Sequence, residues 1–305
     1  MKGKIAALIV TYNRKGLLLE CLDALKKQTY TELDIYVIDN ASTDGTKEAL
    51  SKYIENNDIV YINTQKNLGG AGGFNYGIKK IAVLDYEYIW IMDDDTIPKE
   101  DALEKFIDAL AVLPETVGFL ASSVLCTDGN FCRMNNPGIM RETLLEQDYM
   151  YVQKGICKIE YASFVSILVS VKAVRQCGLP IKDFFIWKDD YEYTTRISSK
   201  YPCYYVSKSE VIHKIKKNML PDISTDDKDR IDRYFYEYRN GYYVVRNAGL
   251  RNKAFYYVKT LKSISRVLRG KEKYKGKRIK VIFKGMISGW FFKPSIEYVE
   301  TEQKK

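Results

Sequence analysis

Three consecutive carboxylates, Asp93, Asp94 and Asp95, follow an apolar run, Tyr88-Ile89-Trp90-Ile91-Met92, and precede Thr96-Ile97-Pro98. A strand that finishes in stacked acids places them at the open carboxyl edge of a sheet, where α/β proteins bind ligands. Packed like charges repel, and a cation relieves the repulsion. One or two hard carboxylate ligands suit Mg²⁺ or Mn²⁺, ions that also hold substrate phosphates. Asp95 or Thr96 could instead cap a helix starting at Pro98, but capping needs one acid, not three after a buried strand. The triplet therefore points to a metal and a diphosphate.

A second acid cluster stands far away in sequence, Trp187-Lys188-Asp189-Asp190-Tyr191-Glu192. An acid at a helix N-terminus can act as a general base on a hydroxyl. The same acids could merely cap the helix and pair with Arg196 a turn later. Trp187 offers a sugar ring an apolar face. His213 is the single histidine. A lone histidine is more often structural, yet imidazole suits Mn²⁺ and could join the acids around an ion.

Smaller features complete the candidates. Thr11-Tyr12-Asn13-Arg14 closes a first strand and offers backbone N–H groups and one cation to a nucleotide. Asp39 closes a second, and its carboxylate could accept the imide N–H of uracil or thymine. A helix cap is an equal reading of both. Asn67-Leu68-Gly69-Gly70-Ala71-Gly72-Gly73-Phe74 would let backbone approach a diphosphate or a sugar closely. It is neither G-x-x-x-x-G-K-[ST] nor a G-x-G-x-x-G directly after the first strand, which argues against a P-loop or a dinucleotide fold.

The elements that must position these residues follow from periodicity. Residues 4–11, 34–39, 59–62 and 88–92 read as strands, the first and the last of them buried. Helical spacing joins Leu17, Leu18, Cys21, Leu22 and Leu25. Helices are expected from the Asn40–Gly45 turn to about Ile54, from Phe74 to Leu84, and from Pro98 to about Leu113. This alternation predicts an α/β fold with a mainly parallel sheet flanked by helices. Residues 117–211 are mixed, with a buried run at 161–171 and a strand-like run at 204–206. From Asp227 the pattern is helical.

At 305 residues the chain can hold one large domain, or one domain and an extension. The expected division is a first domain over 1–225 and a basic helical region over 226–305. Six cysteines without a C-x-x-C pair argue against a zinc site and suit a reducing, cytoplasmic setting. The apolar run at 5–10 is too short for a signal peptide, and no stretch has the length of a transmembrane helix. A net charge of +9 fits nucleic acid, a sugar nucleotide or an anionic membrane. A nucleic-acid protein would leave both acid clusters and the glycine segment unexplained, so no nucleic acid is expected. Residues 251–293 interleave lysine and arginine with Phe255, Leu261, Val267, Ile282, Trp290 and Phe291. That pattern fits a peripheral anchor on the inner face of the cell membrane, or a helix packing its apolar stripe on the domain.

Taken together and in order, the strand-Thr-Tyr-Asn-Arg opening, Val37-Ile38-Asp39-Asn40-Ala41-Ser42, the Asn67–Phe74 segment, Met92-Asp93-Asp94-Asp95, Trp187-Lys188-Asp189-Asp190 and His213 resemble inverting family 2 glycosyltransferases of GT-A fold. The glycine segment and Asp triplet look most like the galactofuranosyltransferase branch. Tyr236-Glu237-Tyr238-Arg239-Asn240 is similar to a segment of that branch and of rhamnosyltransferases. The resemblance implies a GT-A catalytic domain with Asp93, Asp95 and His213 on Mn²⁺ or Mg²⁺. It implies Thr11, Asn13, Arg14, Asp39, Asn67, Gly70 and Asp94 on the nucleotide sugar, UDP-galactofuranose or dTDP-rhamnose. Asp190 would be the base, with Asp189 its alternative because Lys188 interrupts the family's Trp-acid order. Trp187 and Glu192 would meet the acceptor, a glycan or polyprenyl-linked glycan.

Overall fold

The computed structural model describes residues 4–140, 146–215 and 218–300. The N-terminal alternation forms as read: β1 (Ile5–Thr11), α1 (Lys15–Lys26), β2 (Leu33–Asp39), the short α2 (Thr46–Ala49) and α3 (Ser51–Glu55), β3 (Val60–Asn63), α4 (Gly69–Ile81) and β4 (Tyr88–Asp93). Then come β5 (Thr96–Pro98), α5 (Ala102–Leu110), β6 (Phe119–Cys126), β7 (Gly138–Ile139), α6 (Glu146–Gln153), β8 (Ile156–Tyr161), β9 (Ile167–Ser170), α7 (Val171–Cys177), α8 (Asp189–Ser198) and β10 (Tyr204–His213). Three helices end the sequence of elements: α9 (Tyr234–Val245), α10 (Gly249–Arg269) and α11 (Lys275–Phe291).

One sheet runs in the order β3-β2-β1-β4-β9-β6-β10-β8-β7, with β5 paired to β10. β3, β2, β1 and β4 are parallel neighbours, and β9 enters antiparallel between β4 and β6. Every residue of β1 is buried, because helices cover both faces of the sheet. Ala6, Leu8 and Val10 join Phe74, Ile78 and Ile81 of α4 in one core. Ile5, Ala7 and Ile9 point the other way, into Leu18, Leu22 and Leu25 of α1 and Phe106 of α5. The parallel register sets Thr11 beside Asp39 and Val10 beside Asp93, so three strand ends share one rim.

Three local expectations are corrected. Thr96-Ile97-Pro98 does not start a helix: it pairs antiparallel with Val211-Ile212-His213, and the helix waits until Ala102. The pairing partner lies over a hundred residues away and leaves no local trace. The helix expected up to Ile54 is broken at Leu50 into α2 and α3. The glycine segment is not an open loop. From Gly69 onward it is helix α4, whose glycines let it lie close on the sheet. A Cβ on Gly73 would sit 2.5 Å from Cγ1 of Val10. Gly69 has φ +71°, and its Cβ would meet the Phe185 carbonyl oxygen at 2.2 Å.

Helices α9, α10 and α11 build a smaller core of Ile223, Ile231, Tyr234, Tyr238, Val267, Val281 and Ile282. The apolar residues interleaved with the basic ones are therefore partly spent on packing. After α11 the chain is extended rather than helical and returns to the core beside the sheet, where Leu179 N–H donates to Glu297 O at 2.7 Å and Val299 is buried.

Gly73→Ala should cost about 1–3 kcal/mol of unfolding free energy, because its methyl overlaps Val10. A methyl on Gly70 meets nothing within 4 Å, so Gly70→Ala should be neutral or stabilising by up to about 1 kcal/mol. Urea denaturation of both variants checks the contrast.

Candidate active site

The acid triplet lies at the carboxyl end of β4, and its members have different partners. Asp94 is buried and accepts from Thr11 Oγ1 at 2.7 Å and from Arg14 Nη1 at 3.1 Å. The same Arg14 nitrogen donates to Asp95 Oδ2 at 2.7 Å. Nε2 of His213 stands 3.2 Å from the other oxygen, Asp95 Oδ1. That contact is an ion-pair distance without hydrogen-bond alignment, and Asp95 Oδ1 is buried with no hydrogen-bond partner.

His213 reaches Asp95 because of the β5–β10 pairing. His213 is in register with Thr96, and the Lys214 N–H donates to Asp95 O at 2.9 Å. Asn135 fixes the ring. Its Nδ2 donates to Ser163 Oγ at 2.8 Å, so its Oδ1, 2.9 Å from His213 Nδ1, accepts the proton there. Nε2 is thereby turned toward the acids.

The electrostatics follow from burial and crowding. Burial first, and then the charge of Asp95, push Asp93 up to about 7. Burial lifts Asp94 to about 6 against the pull of Arg14 and Thr11. Burial also opposes ionisation of Asp95, but His213 and Arg14 overcome it and hold the carboxyl below its usual range. Burial would lower His213, yet Asp95, Cys132 and Asp93 outweigh it and raise the imidazole to about 10.

Ligand atoms of Asp93, Asp95 and His213 all lie within 4.8 Å of one another. Two carboxylates, one of them with a buried oxygen that accepts no hydrogen bond, and one imidazole fit a divalent ion of the Mn²⁺ type. Binding it would displace the proton from His213 Nε2.

The second cluster is delivered by a strained turn. Phe185, Trp187 and Lys188 all have positive φ, at 65°, 65° and 68°. Such conformations in non-glycine residues cost about 1–3 kcal/mol each and persist only where surroundings impose them. Asp189 and Asp190 then open α8. Asp189 is buried, Asp190 is half-buried, and Asp190 Oδ1 accepts the Tyr191 N–H at 2.7 Å. Burial raises both acids. Asp190 and then Asp93 add repulsion at Asp189, which brings the two acid clusters into one electrostatic field. Lys188, paired with Glu237 at 3.4 Å, partly relieves Asp190.

The other expected residues have structural work here. Asn13 Oδ1 accepts the Thr43 N–H at 2.7 Å and its own N–H donates to Ser42 Oγ, tying the ends of β1 and β2 together. Asp39 is fully buried, and its oxygens accept from the Ser42 N–H and the Tyr61 hydroxyl. Asn67 Oδ1 accepts the Gly69 N–H at 2.8 Å, while Gly70 faces open space. Trp187 packs on Tyr234 with ring centroids 5.0 Å apart. Glu192, expected at the acceptor, has both carboxylate oxygens on Arg196, each at 2.9 Å. A groove of about 1490 Å³ runs beside α4, lined by Lys66, Asn67, Lys80, Phe185, Tyr236 and Arg239 among others. None of the acid triplet lines it. The roles of Asn135 and of Thr11 as an orienter of Asp94 had no sequence signal, since both depend on contacts across about eighty residues.

Asn135→Ala should weaken Mn²⁺ binding about 10–100-fold by freeing the His213 ring, with little loss of Tm. Calorimetric titration with Mn²⁺ alone checks it.

A model of the family described as Glycosyl transferase family 2 matches residues 6–168, more than half of the chain. Glycosyltransferase GlyG of Streptococcus pneumoniae is 31% identical over 184 residues, which is 58% of this chain and 58% of GlyG. A poly-beta-1,6-N-acetyl-D-glucosamine synthase of Staphylococcus aureus is 34% identical over 98 residues, 32% of this chain and 23% of the synthase. The chain thus spans under two thirds of either relative. Among solved structures, the mannosyltransferase PcManGT of Pyrobaculum calidifontis, in complex with GDP-Man and Mn²⁺, has a TM-score of 0.59 at 18% identity, covering 95% of this chain and 87% of its own. GalNAc-T7 with UDP, GalNAc and Mn²⁺ reaches 0.64 at 13% identity, covering 97% and 56%. These likenesses establish the GT-A fold.

Proposed function

The chain belongs to glycosyl transferase family 2, and from that premise we propose that it moves a sugar from a nucleoside diphosphate to a hydroxyl of a bacterial surface glycan, with inversion. The observation that carries the reading is the convergence of Asp93, Asp95 and His213 around Asp95 Oδ1, a buried oxygen that faces His213 Nε2 without an aligned hydrogen bond. These three side chains would hold Mn²⁺ or Mg²⁺, which supplies charge neutralisation for the departing diphosphate. PcManGT and GalNAc-T7, both solved with Mn²⁺, support that assignment. Arg14 and Thr11 keep Asp94 and Asp95 aimed at the rim, and Gly70 leaves room there for the donor.

Asp190 is the base in this reading, since it is less buried than Asp189. It takes the proton of the acceptor hydroxyl while the acceptor oxygen bonds to the anomeric carbon and the bond from that carbon to the diphosphate oxygen breaks. One displacement inverts the centre and needs no enzyme nucleophile. The donor is UDP-galactofuranose on the strength of the glycine segment and Asp triplet, with dTDP-rhamnose as the alternative that shares those motifs. The groove beside α4, with Phe185 and Tyr236 stacked at 4.9 Å, gives a glycan acceptor apolar rings and cations.

Asp95→Ala should abolish transfer and weaken Mn²⁺-dependent UDP binding, whereas Asp190→Ala should abolish transfer and spare that binding. Calorimetry with UDP-galactofuranose, dTDP-rhamnose and UDP-N-acetylglucosamine, with and without Mn²⁺, sorts the donors. Full turnover in either variant would sink the assignment. Because burial raises Asp190, kcat should fall on acidification at a pH above the ordinary carboxylate range.

We also propose a cytoplasmic enzyme that rests on the inner face of an anionic membrane, where a polyprenyl-linked acceptor would lie. No helix among the described residues is long and apolar enough to cross a membrane. Phe255, Leu261, Phe283, Ile287, Trp290 and Phe291 remain exposed on α10 and α11 among lysines and arginines. The protein should co-sediment with phosphatidylglycerol vesicles and not with phosphatidylcholine vesicles, and Trp290→Ser/Phe291→Ser should reduce this several-fold. Equal recovery with both vesicle types would contradict the anchor.

A further inference from the structure

We infer that Asn240, on α9, is a positioning residue for the transfer, holding the turn that presents Asp190 to the acceptor. The inference rests on the transferase reading and adds a residue outside both acid clusters. Asn240 is fully buried. Its Nδ2 lies 3.0 Å from Phe184 O, 3.1 Å from Ile186 O and 2.9 Å from Trp187 O. One amide thus gathers three carbonyls of the segment directly before Asp189 and Asp190. Its own Oδ1 accepts from Arg239 Nε at 2.9 Å. The same guanidinium donates to Asp183 O and Phe184 O. The side chain is therefore fixed from behind, with no free rotamer.

The segment it grips does not hold its shape by local preference. Phe185 has φ 65° and ψ −56°, and the Ile186 N–H donates to Phe184 O at 2.7 Å. This is the strained form of the γ-turn. Trp187 and Lys188 follow with φ of 65° and 68°. The Phe185 carbonyl, turned away from α9, accepts the Ala71 N–H of α4 at 3.2 Å. The turn is thus pinned between the first turn of the glycine-rich helix on one side and Asn240 on the other. Phe185 stacks on Tyr236, Trp187 packs on Tyr234 and Lys188 pairs with Glu237, all on α9.

Hydrogen bonds from a neutral amide to three carbonyls have no charge to lend to the reaction. Their effect is directional. Without them, the positive-φ residues would relax to ordinary conformations and carry the Asp190 carboxylate with them. A displacement of about 1 Å at a reacting group costs about a hundredfold in rate. Among the described residues, the donor side, built on β1, β4, β5 and β10, shares no hydrogen bond with Asn240.

The test uses full-length Asn240→Ala and Asn240→Gln with three readouts. The expected result for Asn240→Ala is a kcat at least about a hundredfold lower, Mn²⁺-dependent UDP affinity within twofold of wild type, and faster amide hydrogen exchange confined to about residues 184–191. Asn240→Gln, which keeps the amide, should recover part of the lost kcat. Wild-type turnover in Asn240→Ala overturns the inference. Joint loss of UDP binding and transfer also overturns it, by showing that Asn240 supports the whole domain. If the wild-type protein transfers no sugar at all, the transferase reading fails, and exchange alone decides the clamp: unchanged exchange at 184–191 overturns it.

Discussion

Burying several carboxylates at the end of one strand is the constraint on which the rest of this structure depends. Asp94 and Asp95 are almost inaccessible, Asp93 stands beside them, and Asp189 is buried within reach of their field. Uncompensated buried charge is among the most expensive features a protein can carry. Arg14 bridges Asp94 and Asp95 with a single nitrogen, and His213 stands against the other oxygen of Asp95. Were Asp93, Asp94 and Asp95 all ionised, Arg14 and a protonated His213 would leave one negative charge unmatched, and burial together with the charge of Asp95 raises Asp93. A surplus of this kind, at the rim of a parallel sheet, is what a divalent ion and a phosphate-bearing ligand would resolve.

Two parts of the chain meet across that rim. The sheet contributes strand ends in register, so Thr11, Asp39 and Asp93 cannot move independently. The helical region contributes a floor: Tyr234, Tyr236, Glu237, Arg239 and Asn240 of α9 all touch the 183–188 turn. Helix α11 in turn lies close on α9, where a Cβ on Gly285 would come within 2.7 Å of Phe235 O. The region that carries the exposed basic and aromatic surface is thereby in direct contact with the segment that carries the second acid pair.

Legibility in the sequence tracked the range of the interaction. The four N-terminal strands and the acids at their ends were readable, because apolar runs and terminal polar residues are local patterns. The Glu192–Arg196 pair was equally readable as neighbours one turn apart. The short strand at Thr96–Pro98 was not, since its partner is β10. The glycines of Asn67–Phe74 suggest close approach to a ligand, yet Gly73 is demanded by Val10, a contact that only the folded helix creates. Asn135 and Asn240 are single polar residues whose meaning lies in distant partners, His213 and the 184–187 carbonyls. Periodicity separated buried from exposed, but it could not say which buried amide would be spent on orienting another group.

Anomalous diffraction from crystals grown with MnCl₂ and UDP would test whether Asp93, Asp95 and His213 form one metal centre facing the second acid pair. The expected result is one strong manganese peak coordinated by those three side chains, with the UDP diphosphate bound to the same ion and Asp190 facing it. A manganese ion held elsewhere, or a diphosphate bound away from that centre, would contradict it.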